Sequence, residues 1–238
     1  MKAKHAAAVV LLALTALSLS ACKTKPAPEA VRPEPFKFSD LAKTDVDEVT
    51  EVHREEALRH LRDLMVKLYR RNPAEWKRTG KPSLEFVVER VFRGSRVPNF
   101  VELNGARGAD SINLTFDESY EGDRVLAFIA GLTTMINAAY NDKSEFFVID
   151  ELDPQKLYNS ARNVEIAAWK LGTKTDSSGR LFLLSNSTSG ELRNLSFERL
   201  FGKIIAQQDT IARIVADRTN RTIRKVMQRM VGAVFLPI

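Results

Sequence analysis

Apolar residues recur along this chain at helical spacing, and polar runs separate the blocks in which they do so. In TDVDEVTEVHREEALRHLRDLMVKLYRRNP, Leu61, Leu64, Met65 and Leu68 form one stripe. Thr44 or Asp45 is the expected N-cap, acids fill the first turns, bases fill the last, and Pro73 terminates the run. Both charge biases suit the helix dipole. A second helix is expected after Ser83, where Leu84, Val87, Val88, Val91 and Phe92 share a face, and it should stop at Gly94. Residues 95–118 are the least regular stretch. GDRVLAFIAGLTTMINAAYN reads as a buried helix from about Asp123 to Tyr140, and DPQKLYNSARNVEIAAWKLG as another, capped by Asp153, with Pro154 in its first turn and Gly172 past its end.

The last pattern is the longest. From Ser196, apolar residues fall at Phe197, Leu200, Phe201, Ile204, Ile205, Ile211, Ile214 and Val215, and they resume at Ile223, Val226, Met227, Met230 and Val231. One helix of roughly 36 residues would span about 54 Å, with a bend or break expected in ADRTNRT, 216–222. Leu181–Leu184 could form one short strand, and no internal repeat is visible. The fold class is therefore all-α, a single domain of about five or six helices with a long C-terminal one. The stretch Val125 to Asn141 carries no charge and invites a transmembrane reading. It contains Gly131, Thr133, Thr134 and Asn137 and is short for about 30 Å of hydrocarbon, so a core helix is expected.

The N-terminus has a different design. Lys2 and Lys4 precede an apolar run from Ala6 to Leu19, and small residues then lead to Cys22. That is the layout of a secretory signal peptide. The tetrad Leu19-Ser20-Ala21-Cys22 resembles the lipobox of bacterial lipoproteins. The resemblance covers the first 22 residues and implies cleavage before Cys22, with acyl chains on its sulfur and its new amine. Two or three such chains give stable membrane attachment, where one is marginal. Cys22 is the only cysteine, so its consumption as a thioether would remove thiol catalysis, thiolate metal binding and disulfides together. Residues 1–21 are thus expected to be a signal peptide and 22–35 a lipidated, proline-rich tether. An extended tether of this kind reaches roughly 40 Å at about 3.1 Å per residue. The helical domain would occupy 36–238. By the same resemblance, Lys23 in place of aspartate favours the periplasmic face of the outer membrane.

Charge narrows the partners. The formal net charge is +6, of which the signal peptide's two lysines supply part. In an exported protein this mild excess points to anionic lipid head groups, lipopolysaccharide phosphates, cell-wall polymers or an envelope protein rather than to nucleic acid. Its most concentrated form is Arg218, Arg221, Arg224, Lys225 and Arg229. If the last helix continues, four of these share one side, with Arg224 at the edge, as a possible surface for an anionic partner. VFLPI at the end could dock into the core or onto a partner.

Few constellations carry chemistry. GARGAD, 105–110, lacks the Lys-Ser/Thr pair of a phosphate loop and reads as a flexible loop. His53, Glu56 and His60 lie at offsets of three and four, the weak metal candidates of the chain, without an H-E-x-x-H or E-x-x-H signature. DESYEG, 117–122, opens like a calcium loop, but its twelfth position is Phe128 instead of glutamate. Glu118-Ser119, GLTTM at 131–135 and AAYN at 138–141 resemble short elements of lytic transglycosylases. That resemblance implies Glu118 as a general acid on peptidoglycan, although the glutamine of the family's second element is missing and the third falls in the same helix. No cofactor is implied. The expected function is a non-enzymatic envelope binding or assembly factor that presents a helical surface to a protein or cell-wall partner. The alternative is a peptidoglycan hydrolase.

Overall fold

A computed structural model describes residues 43–94, 99–186, 194–226 and 230–238. The described residues form seven helices and no strand. They are α1 (Asp45–Arg71), α2 (Pro73–Lys77), α3 (Leu84–Phe92), α4 (Gly108–Leu114), α5 (Arg124–Ala139), α6 (Pro154–Thr173) and α7 (Ser196–Thr219). Short 3-10 turns lie at Val101–Leu103 and Met230–Gly232.

The centre of the fold is α5. Every residue from Val125 to Asn137 is buried, so this helix is apolar all round because it has no solvent face. Its hydroxyls are satisfied locally, Thr133 and Thr134 donating to the carbonyls of Ile129 and Ala130 at 2.7 and 2.8 Å, while the buried Asn137 accepts from Arg54 of α1 at 2.9 Å. Among the described residues, no helix is long and apolar enough to cross a membrane. α5 packs against α1, α4 and α6, while α7 packs against α6 and α1, so α1, α5, α6 and α7 close a ring of four long helices. Phe128 of α5 meets Phe116 and Phe201 edge to face, with ring centres 6.2 and 6.3 Å apart.

Several helix ends follow from the residues that the sequence marks. Thr44 precedes α1, and its backbone N–H and hydroxyl both donate to Asp47. Ser83 caps α3 by accepting the Phe86 N–H at 3.1 Å, and Asp153 caps α6 by accepting that of Gln155 at 2.9 Å. Asp123 caps α5 through Leu126 and also accepts the Tyr69 hydroxyl at 2.7 Å. Nearby, the buried Glu75 accepts the Arg124 N–H at 2.7 Å.

Three expectations need correction, and two, the Pro73 stop and the break within 216–222, hold with added detail. Pro73 ends α1 and also opens α2, because a proline at the first helical position loses no needed N–H. GARGAD is the entry to α4: Gly108, at φ +52°, begins the helix, and its N–H donates to Thr134. Gly172 lies within α6, which runs to Thr173. Leu181–Leu184 is not a strand; Leu181 makes an isolated bridge to Thr175, and the Leu184 main chain pairs with the Asn72 carboxamide instead. The C-terminal helix stops at Thr219. Asn220 adopts the left-handed conformation, and the Arg221 N–H reaches back to the Ala216 carbonyl, forming a Schellman turn.

The described chain beyond α7 is held by side-chain amides. Gln155, Asn159 and Asn163, at i, i+4 and i+8 on α6, form a ladder. Gln155 accepts the Arg224 N–H at 2.8 Å and donates to its carbonyl at 3.1 Å. Asn163 pairs in the same way with Leu236, and Asn159 donates to the Pro237 carbonyl. Phe235 and Ile238 rest against the core, so the terminal VFLPI docks within the chain.

Two results test this architecture. A Cβ at Gly131 of α5 would lie 2.7 Å from the Gly108 carbonyl oxygen and 2.8 Å from the Ile112 nitrogen, whereas one at Gly202 of α7 would meet nothing within 4 Å. Urea denaturation should show Gly131→Ala losing about 1–3 kcal/mol, and Gly202→Ala gaining about 0.5–1 kcal/mol from helix propensity. Burial pushes the Asp123 carboxyl up to about 6, and Glu75 adds to the rise, against the bonds from Leu126 and Tyr69. The folded chain then keeps a proton that the unfolded chain has lost, so this group's contribution falls as pH rises from about 4 through 6. The loss is about 2–3 kcal/mol. Asp123→Asn, which keeps the cap, should flatten the stability profile across that window.

Candidate functional site

The residues singled out by sequence fall in four places. Cys22 lies outside the described residues. His60 is buried on α1, with Nε2 3.7 Å from a Glu56 carboxylate oxygen, beyond a good hydrogen bond. Burial, with help from the charges of Arg59 and Lys203, holds His60 below the usual imidazole range. Glu56 is instead engaged by Arg59 at 2.6 Å. His53 and His60 thus do not converge with Glu56 on one point, and no group of three metal-donor side chains occurs among the described residues.

Glu118 stands exposed ahead of α5 and accepts the Ser177 N–H at 2.5 Å. A carboxyl that protonates a glycosidic oxygen at neutral pH needs a desolvating cleft. Thr133, Thr134 and Tyr140, from the other elements of that resemblance, are buried in the core, whereas Glu118 is in solvent. Asp117, the first residue of the calcium-like loop, accepts both the N–H and the hydroxyl of Ser119, and Phe128 is fully buried.

The C-terminal bases are dispersed. Arg218, in the last turn of α7, donates to the buried Asp47 at 2.8 Å. Burial raises the Asp47 carboxyl, but bonds from Arg218 and Thr44 outweigh it and hold the group below its ordinary value. Arg221 pairs with Glu151 at 3.3 Å. Both arginines line a hollow of about 280 Å³ whose other walls include Asp47, Asp150 and Glu151, so acids offset their charge there. Arg224 and Lys225 are exposed on non-helical chain, and Arg229 lies outside the described residues. The single helical stripe does not form, because it requires α7 to continue past Thr219.

A different cationic surface is assembled by tertiary packing. α3 and α7 both pack onto α1, and a groove of about 630 Å³ opens where the three meet. Its bases are Arg62, Lys67 and Arg70 from α1 and Arg199 and Lys203 from α7, against the acids Asp63 and Glu85. Val66, Leu84, Val88 and Leu200 supply its apolar surface. The helical period explains the split on α1: positions 61, 64, 65 and 68 enter the core, leaving 62, 66, 67 and 70 on the flank.

These cations differ in their partners. Arg62 is paired with Glu89 at 2.5 Å. Lys67 lies over the Phe197 ring, 5.4 Å from its centre. Burial lowers its ammonium below the usual range, and the like charge of Arg199 lowers it further, against Asp63. Arg70, Arg199 and Lys203 are exposed, and none of them forms an ion pair among the described residues. Like charges from two helices therefore face one groove in excess, five bases against Asp63 and Glu85. Sequence reading missed this because the bases lie more than 120 positions apart, on helices whose contact no local pattern encodes.

No family model, no curated protein and no solved structure matches the chain.

The two sets of arginines should behave differently. Arg218→Ala leaves the buried Asp47 carboxylate with one partner fewer and should cost about 1–2 kcal/mol in urea denaturation. Arg224→Ala, on exposed chain, should change stability by less than about 0.5 kcal/mol.

Proposed function

We propose that this chain is a bacterial envelope lipoprotein, anchored through acyl chains on Cys22, that acts by binding rather than by catalysis. Its helical domain would work close to the membrane within reach of the 22–35 tether, with Lys23 favouring the periplasmic face of the outer membrane. The partner is an envelope protein or a cell-wall polymer. The observation that carries this reading is the groove between α1, α3 and α7, where Arg70, Arg199 and Lys203 have no ion-pair partner among the described residues and stand beside an apolar floor. Unneutralised charge near recessed apolar surface weakens the free chain's own electrostatics and is recovered on association.

Two measurements test the reading. Metabolic labelling should place palmitate on the wild-type chain, and Cys22→Ala should abolish both the label and membrane attachment; label that persists in the variant overturns the anchor. A photo-crosslinking residue at Arg70 should capture a defined envelope partner in cells, while one at Val52, exposed on another part of α1, should not. Muropeptide release from purified cell wall that disappears in Glu118→Gln would replace the binding reading with the hydrolase.

A further inference from the structure

We infer that the groove between α1, α3 and α7 receives an acidic amphipathic helix of a protein partner. The inference rests on the binding role proposed above and names the chemistry of what binds. Three features select this occupant. The first is charge: five bases line the groove, and Arg70, Arg199 and Lys203 have no ion-pair partner among the described residues. Lys67 and Arg199 reach in from opposite helices closely enough for one charge to perturb the other. Carboxylates placed between them would relieve that repulsion.

The second feature is the floor. Val66 and Leu84 are half-buried, Leu200 is 9 % exposed and Val88 is 1 % exposed, so the apolar surface is recessed below the charged rims. A uniform polyanion has no side chain to place there. A flat membrane surface engages protruding apolar residues, and these lie beneath their charged neighbours. A helix with one acidic and one apolar face uses rim and floor together, in the helix-in-groove mode.

The third feature is the distribution of acids. Asp63 and Glu85 line the same groove, and Glu89 occupies Arg62. They leave the cations as discrete points rather than as a continuous positive track. Such spacing reads the pattern of charges on a ligand instead of its total charge.

The test uses the full-length chain in neutral detergent and four probes: a fluorescent peptide of about 18 residues with leucine at helical spacing and glutamate opposite, spanning about 27 Å; a scrambled peptide of the same composition; linear polyphosphate; and phosphatidylglycerol dispersed in the same detergent micelles. The amphipathic peptide should bind at least about 10-fold more tightly than the scramble and weaken about 10-fold between roughly 50 and 300 mM salt. The triple variant Arg70→Glu, Arg199→Glu, Lys203→Glu should lose at least about 10-fold in affinity. Val66→Asp should also weaken binding, with circular dichroism confirming that each variant is folded. Arg224→Glu, outside the groove, should leave binding unchanged.

Equal binding of the two peptides, or binding indifferent to Val66→Asp, overturns the inference. Polyphosphate competing as well as the unlabelled peptide would make the groove a polyanion site, and phosphatidylglycerol micelles competing as well as the peptide would make it a lipid site; either result also overturns it. Capture by the Arg70 crosslinker of a partner without an acidic helix removes this inference and leaves the binding role standing. Silence of that crosslinker in cells removes both.

Discussion

The architecture depends on burying one helix that has no polar face. α5 must be enclosed from every side, because its apolar residues surround the helix and its hydroxyls are spent on its own backbone. Each other long helix then needs only one apolar stripe, facing α5 or a neighbour that does. Gly131 sets how closely α4 approaches, since the Gly108 carbonyl and the Ile112 backbone occupy the space a side chain would need. At the entry to α5 the polar cost is concentrated in one cluster, where Tyr69 and Asp123 bond to each other and Glu75 takes the Arg124 N–H. Burial in that cluster pushes the Asp123 carboxyl up to about 6.

Segments that are not helical are fastened in a consistent way. Asn72, Gln155 and Asn163 each use both ends of a carboxamide to bond the N–H and C=O of one distant residue: Leu184, Arg224 and Leu236. A carboxamide carries the same donor and acceptor as a peptide unit, so it substitutes for the neighbouring strand that an extended segment would otherwise seek. Among the described residues, this is how a set of helices holds a loop and a C-terminal tail without a sheet. It also explains why apolar runs such as LFLL and VFLPI are docked rather than paired.

Satisfying the interior sorts the charges into two groups. Arg218 and Arg62 are committed to partners on other helices, and Arg221 to Glu151 on the chain before α6. Arg70, Arg199 and Lys203 are held near one another by helix packing and have no such partner among the described residues. Charge density along the sequence drew attention to 218–229, yet neutralisation depends on what lies opposite in space. The basic run that is densest in sequence is therefore partly compensated, while three bases that are sparse in sequence share one groove.

The helices, their caps and the buried character of α5 were legible because each depends on residues a few positions apart. Thr44, Ser83, Asp123 and Asp153 lie within one turn of the N–H groups or helices they serve, and a period of 3.6 places Leu61, Leu64, Met65 and Leu68 on one side without any knowledge of what they face. The all-α class follows from the same local rules. The end of α7 was only partly legible: ADRTNRT marked the place, but choosing a terminal Schellman turn over a bend required seeing the chain leave Asn220 for the amide ladder on α6. Pairings such as Arg218 with Asp47, and the meeting of Arg70 with Arg199, join residues separated by much of the chain. Sequence alone determined where the long helices lie and which face of each is apolar, since hydrogen bonding and side-chain period are local, but not the short α2 and α4. Tertiary structure decided which charges are neutralised and where a groove opens, because electrostatic and packing energies depend on distance in space.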